Sequence, residues 1–352
     1  MQSKLNNIQG LRAYAAVSVT YFHTGYVIPH VSPFGFYGVD VFFVISGFIM
    51  AGICDLRPQK FFKRRVIRIV PMYWLVTFGM FILALLVPSL LKATHANLVE
   101  LVKSLLFIPF FKEDGLLQPL LFVGWSLNYE MYFYVLLALV LLVVPGKRAP
   151  LVTCALLVLV PSVLHPWHDR NALTKFYGDM RPFEFIVGIA CYYVARAVPV
   201  GVARKLRWPL IGCMLLAVAE LAVYFMLPLP YFPPDWIGFG TPAAVLVLSA
   251  ALLAKCGADL RARWLILLGD ASYAIYLLHP FVLYAMERVL AKRWPVLSSE
   301  HNFFGMVLGV AAVCAASCVV YLYIEKPLVD WLAARFAPTR RPPLTDPAGM
   351  PL

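Results

Sequence analysis

The chain has 352 residues, of which 62% are hydrophobic and 14% charged, with a mean hydropathy of +0.79. That balance excludes an ordinary soluble domain and makes lipid the solvent for most of the sequence. The formal charge of +12 does not indicate nucleic acid, because the basic residues sit in short clusters between apolar runs and not on one continuous face.

In chain order, runs of roughly 20 apolar residues fall near 8–28, 36–54, 69–91, 122–144, 149–165, 183–199, 208–228, 238–257, 267–290 and 303–325. The expected fold is an all-α polytopic membrane protein of about ten transmembrane helices. The N-terminus is too polar for a cleavable signal, so the first run is expected to remain as a span. Residues 98–111 are apolar but too short to cross, which suits an interfacial or re-entrant segment. Residues 1–335 read as one transmembrane domain and 336–352 as a proline-rich, disordered cytoplasmic tail.

Most of the 30 basic residues fall on alternate connections, around Lys4, Arg57–Arg68, Lys147–Arg148, Arg196–Arg207, Lys255–Arg263 and Lys326–Arg341. Cytoplasmic loops carry this excess, so both termini are expected in the cytoplasm. The seven cysteines show no paired external spacing, and nothing resembles a metal cluster.

Titratable side chains inside hydrocarbon need a partner or a purpose. Arg12 and His23 lie eleven positions apart in the first run, almost three helical turns and roughly 16 Å, on one face. A lone intramembrane histidine can also be a hydrogen-bonded interface residue. Asp40, a turn into the second run, matches His23 in depth and suits orienting an imidazole or capping its own helix start. Gly38, Ser46 and Gly47 around it allow close helix approach.

The basic stretch before the third run, with Arg65 and Arg68 on a helical period, suits phosphates or, more plainly, retention charge and lipid headgroups. Trp125, Ser126 and Glu130 group in the fourth run, Ser126 and Glu130 one turn apart. Asp270, Ser272, Tyr273, Tyr276 and His279 follow along the ninth, with Pro280 expected to kink it. Glu325 and Lys326 close the last run, where they can pair.

These motifs together resemble the acyltransferase-3 family of integral membrane acyltransferases, including its exopolysaccharide-production group. The resemblance rests on Ile8-Gln9-Gly10-Leu11-Arg12-Ala13 with His23, and on Gly38-Val39-Asp40-Val41-Phe42-Phe43-Val44-Ile45-Ser46-Gly47-Phe48. It continues through Arg65-Val66-Ile67-Arg68-Ile69-Val70-Pro71 with Tyr73, Trp125-Ser126-Leu127 with Glu130, Ser272-Tyr273 to His279-Pro280, and Glu325-Lys326-Pro327. It implies O-acyl transfer, commonly of acetyl, from cytoplasmic acyl-CoA as co-substrate to a hydroxyl of a polysaccharide or glycolipid at the outer face of a bacterial inner membrane. No permanently bound cofactor or metal is implied.

The resemblance also implies catalytic work for His23 and an essential part for Arg12, and a hold on the CoA phosphates by Arg65 and Arg68, with Tyr73 beside them. On the residues themselves, His23 is expected as general base or as the nucleophile of an acyl-histidine intermediate, with Asp40 or Glu130 as its carboxylate and Trp125, Ser126, Ser272, Tyr273, His279 and Glu325 as further buried polar candidates. Many members carry a fused extracytoplasmic hydrolase-like domain that this sequence lacks. The chain is therefore expected to complete transfer itself or pass the acyl group to a partner, such as a polysaccharide assembly or export protein. The alternative from another class is a secondary transporter of a polysaccharide precursor or acyl-bearing metabolite, in which the same buried charges form a proton or substrate path.

Overall fold

The computed structural model describes residues 5–24, 37–56, 60–87, 96–226, 238–293 and 303–336. Among them the chain is helical, the sole β feature being an isolated bridge between Phe111 and Leu117. The helices are α1 Asn6–Thr24, α2 Gly38–Leu56, α3 Phe61–Leu86, α4 Leu98–Leu105, α5 Trp125–Val143, α6 Ala149–Leu164, α7 Ala172–Tyr177, α8 Phe183–Ala197, α9 Val200–Lys205 and α10 Arg207–Met226. After these come α11 Gly240–Lys255, α12 Arg263–Asp270, α13 Ser272–Arg293, α14 Phe303–Val320 and α15 Lys326–Arg335.

Five helices are long and apolar enough to cross a bilayer, and a sixth span results if the bent pair α12–α13 is counted as one. The chain is thus a multi-pass membrane protein. The helix α1 falls outside those five because it carries Asn6, Asn7, Gln9, Arg12 and His23. It tolerates them because α2, α11, α12, α13 and α14 surround it, so protein and not lipid solvates its polar side chains. Towards the outside stand α6 and α14, whose Leu151, Leu159, Phe304 and Val319 are exposed.

Close backbone approach fixes how α2 meets α8. A methyl group on Gly47 would stand 2.1 Å from the carbonyl oxygen of Phe185, and one on Gly188 2.0 Å from that of Val44. The two glycines therefore let the helices touch reciprocally at their backbones. The small residues noted in the second run serve contacts within the chain, Gly38 doing the same against Ala15.

At one end of the bundle a polar clasp joins three helices. Arg196 reaches Asp55 at 2.6 Å and Tyr192 donates to the same carboxylate at 3.0 Å. Lys255 Nζ donates to the carbonyls of Ala195, Arg196 and Val198 at 2.6–3.0 Å, capping the C-terminus of α8 with a cation.

Several expected boundaries shift for physical reasons. The helix α3 begins at Phe61, eight residues before the apolar run, because the basic stretch is itself helical and hydropathy marks only the part that seeks lipid. The ninth run is two helices meeting at Ala271 with a 73° bend. Gly269 lies against the backbone of Gln9, where a methyl would stand 2.1 Å from the carbonyl, so α12 lies across α1 before the chain turns inward. The helix α13 continues through Pro280.

The last run winds α14 through a π turn, Tyr321–Glu325, into α15. Glu325 and Lys326 do not pair there: Glu325 is turned into the bundle at 1% exposure while Lys326 faces out. The segment 98–111 stays short, as α4 with Leu98 and Val99 exposed and Leu101 and Ser104 buried. The expected tail lies outside the described residues apart from Phe336.

The glycine contact yields a stability test. Gly47→Ala and Gly188→Ala are each expected to cost about 1–3 kcal/mol through overpacking, whereas Gly201→Ala and Gly212→Ala, which face open space, leave stability unchanged. Thermal denaturation of the purified variants in one detergent measures the difference.

Candidate active site

Spacing on each helix brings the first group of polar residues to one cavity. Arg65 and Arg68 are three residues apart on α3, and Ser126, Glu130 and Tyr134 recur every four on α5, so each set shares a face. Ser46 comes from α2 and Arg12 from α1, while Ser272 and Tyr273 open α13 just beyond the 73° bend. Together with Phe42, Phe43, Ile69 and Tyr276 they line a space of about 740 Å³, counted to its open mouth.

The polar groups there are tied to one another. Arg12 Nε donates to Ser272 Oγ at 3.2 Å, across 260 residues of sequence. Glu130 Oε1 accepts from Ser46 Oγ at 2.9 Å and from the Tyr134 hydroxyl, and Arg65 lies over the Tyr134 ring at 5.8 Å. Glu130 and Glu325 both act electrostatically on Arg12, offsetting repulsion from Arg68 and Arg65. The π turn delivers Glu325 to this position. The Tyr273 hydroxyl donates to the Ile69 carbonyl at 2.8 Å, pinning α13 to the arginine-bearing turn of α3.

Further along α1 and α13 a second polar group forms. The His23 ring lies 4.6 Å from the His279 ring and 5.6 Å from Phe122. His23 Nδ1 faces the Val19 carbonyl at 2.8 Å and His279 Nδ1 the Ile275 carbonyl at 3.3 Å. Between this pair and the arginine cavity stands Tyr276, which lines the cavity and sits 6.0 Å from His279. Its hydroxyl donates to the Val123 carbonyl at 2.7 Å and shares a 2.6 Å hydrogen bond with Ser126.

A third group was not singled out from sequence. Arg181, in the connection before α8, lies over the Trp125 ring at 4.9 Å and 3.8 Å from Asp179, which also accepts from Tyr129 at 3.0 Å. Burial works against the Arg181 charge, but Asp179, Asp40, Tyr129 and Glu184 outweigh it and hold the guanidinium above its ordinary range. The signal that could have found it is Glu184, a fully buried acid at the start of an apolar run.

The structure therefore places the expected residues in three groups. Arg12, Arg65, Arg68, Ser126, Glu130, Ser272 and Tyr273 share the cavity, with Glu325 behind them. His23 meets His279, and Asp40 and Trp125 meet Arg181. Tyr73 does not line the cavity: it is fully buried, stacked on Phe107 at 4.9 Å and packed against Gly124, though it acts electrostatically on Tyr273. Five residues beyond Arg68, it is rotated by roughly 140° from it around α3. Of the two carboxylates expected for His23, Asp40 acts electrostatically on Arg181 and Glu130 lines the arginine cavity. Among the described residues no three His, Cys, Asp or Glu side chains converge as metal ligands.

The arrangement is a cationic cavity enclosed by apolar helices with imidazoles beyond it. The chain belongs to the acyltransferase-3 family: residues 5–323 match its acyltransferase domain. It is an O-acyltransferase by that membership. It is 34% identical over 323 residues to the exopolysaccharide production protein ExoZ of Rhizobium meliloti, covering 88% of this chain and 94% of that one. It is 29% identical to the putative peptidoglycan O-acetyltransferase YrhL of Bacillus subtilis and 26% identical to the peptidoglycan O-acetyltransferase OatA of Listeria monocytogenes. Those alignments take in 91% and 92% of this chain but only 54% and 55% of the relatives. No solved structure matches.

The cavity's charge balance is testable. Glu130→Leu leaves buried arginines uncompensated and is expected to cost about 3–5 kcal/mol. Glu130→Gln, which keeps an acceptor for Ser46 and Tyr134, is expected to cost less than half of that. Chemical denaturation of the two variants in detergent measures it.

Proposed function

We propose that this enzyme moves an acyl group, acetyl in the simplest case, from cytoplasmic acyl-CoA to a hydroxyl of an exported polysaccharide or glycolipid. The observation that carries the reading is the sequence of sites along α1 and α13: an arginine cavity at Arg12 and Ser272, then an imidazole pair at His23 and His279. Arg65 and Arg68, with Arg12 deeper, supply fixed donors for the phosphates of the co-substrate. Glu130 keeps Arg12 and Arg65 oriented. The likeness to an exopolysaccharide production protein and to peptidoglycan O-acetyltransferases supports a carbohydrate acceptor.

His23 acts as general base in this reading. A carbonyl accepts and never donates, so the Val19 contact holds the proton on Nδ1 and leaves Nε2 as the basic nitrogen. The acceptor oxygen attacks the thioester carbon as His23 takes its proton, and the surrounding apolar helices keep water from competing. Asp40 and Trp125 hold Arg181 and act on the reaction through that group.

Ten spans with both termini in the cytoplasm of a bacterial inner membrane complete the picture, with residues 1–335 as one domain and polysaccharide assembly or export proteins as partners. The basic connections support this topology. Alkaline phosphatase fused after Asp169 is then expected to be active, and fused after Arg148 inactive.

Purified protein in proteoliposomes, given acetyl-CoA labelled in its acetyl group and polysaccharide from cells lacking the gene, tests the function. Label is expected in the polysaccharide. His23→Ala is expected to lower the rate by about 10²–10⁴, and Arg65→Ala with Arg68→Ala to raise KM for acetyl-CoA more than they lower kcat. Absence of label from the acceptor, with the protein folded, favours a transporter.

A further inference from the structure

A second cleft runs along the face of α1 turned away from Arg12 and takes no part in the site described above. It encloses about 1540 Å³ counted to its open mouth, about twice the arginine cavity. Helical period builds its walls. From α10 come Arg207, Ile211, Met214 and Val218, and from α1 Asn7, Leu11, Tyr14 and Val17, sets that recur every three or four residues and so share a face. The helix α10 is held to the bundle through α11, and Leu246 of α11 and Leu268 of α12 close the cleft behind.

Its polar residues gather at one end. Asn7 is used by the fold: its amide donates to the carbonyls of Ala250 and Ala258 at 3.1 and 2.9 Å and accepts from the Leu260 N–H at 2.6 Å, tying the connection before α12 to α1. Arg207 is not so committed. Among the described residues it forms no ion pair, and its guanidinium lies over the neighbouring Trp208 ring at 5.5 Å. Arg204, Lys205, Arg261 and Arg263 are exposed in the same two connections, and Asp259 is the one acid on the lining, so the mouth is cationic. Trp208 and Trp264 there are 73% and 65% exposed, as rings at a membrane–water interface are.

Length and charge together select the occupant. From Arg207 to Val218 is eleven residues, roughly 16 Å of helix, and one leaflet of hydrocarbon is roughly 15 Å deep. A soluble anion would gain nothing from the apolar walls, and a zwitterionic headgroup would bring its own cation to Arg207. We infer that the cleft is a binding site for an anionic phospholipid of the surrounding bilayer, its phosphate at Arg207 and one acyl chain lying between α10 and α1. The lipid completes the packing behind the helix that carries Arg12.

The test uses the full chain, purified free of lipid in detergent and titrated with dioleoyl phosphatidylglycerol or dioleoyl phosphatidylcholine, with bound lipid counted by native mass spectrometry. One phosphatidylglycerol per chain is expected to bind about tenfold more tightly than phosphatidylcholine, within what one or two basic side chains supply at an anionic headgroup. Arg207→Ala is expected to weaken phosphatidylglycerol about fivefold and leave phosphatidylcholine unchanged. Arg148→Ala, which removes an equal exposed charge from another connection, is expected to change neither. Val218→Trp, which fills the deep end, is expected to weaken both lipids about tenfold, since two displaced methylenes suffice; Met214→Trp supplies the same readout should that variant not fold. Equal binding of the two lipids, equal losses in Arg207→Ala and Arg148→Ala, or no effect of the tryptophan overturns the inference. So does glycerol phosphate competing as well as the lipid, or a dimer of the chain that excludes lipid.

Discussion

The structure is organised around a guanidinium held inside an apolar bundle. Arg12 sits on the central helix, where placing a charge in hydrocarbon costs a few kcal/mol even by the mildest scales. The fold meets that cost with groups drawn from far apart in sequence: Ser272 by hydrogen bond, and Glu130 and Glu325 by charge. Each is delivered by a departure from regular helix or by tight packing. The 73° bend brings Ser272 to α1, the π turn turns Glu325 inward, and the hydroxyls of Ser46 and Tyr134 hold Glu130 in place. Without Arg12 there would be little reason for three of these helices to present polar faces to the middle of a membrane.

The same architecture sets Arg12, Arg65 and Arg68 in one cavity and the His23–His279 ring pair beyond it, with the Tyr276–Ser126–Val123 hydrogen bonds between them.

Much of this was legible in the sequence because polar residues stand out in apolar runs. Arg12, His23, Glu130 and Ser272 announced themselves by position, and helical periodicity grouped Arg65 with Arg68 and Ser126 with Glu130. What periodicity could not supply was which side chains meet across helices. Asp40 was expected to face His23 by depth, and among the described residues it acts electrostatically on Arg181. Tyr73 follows Arg68 closely in sequence, yet a turn and a half of helix points it at Phe107. Hydropathy likewise missed the start of α3 and the bend at Ala271, since a helix that is basic at one end, or that lies across a neighbour, has no simple apolar signature.

The π turn before α15 has a further geometric consequence. Five residues complete a turn that four would otherwise close, so the helix carries one residue more than its neighbours on either side require. Dropping that surplus would restore ordinary winding while swinging everything on one side by roughly 100° about the axis, and the carboxylate of Glu325 would then point to lipid. The anionic counterweight to Arg12 and Arg68 thus depends on a miscount in helical winding, not on the identity of Glu325 alone.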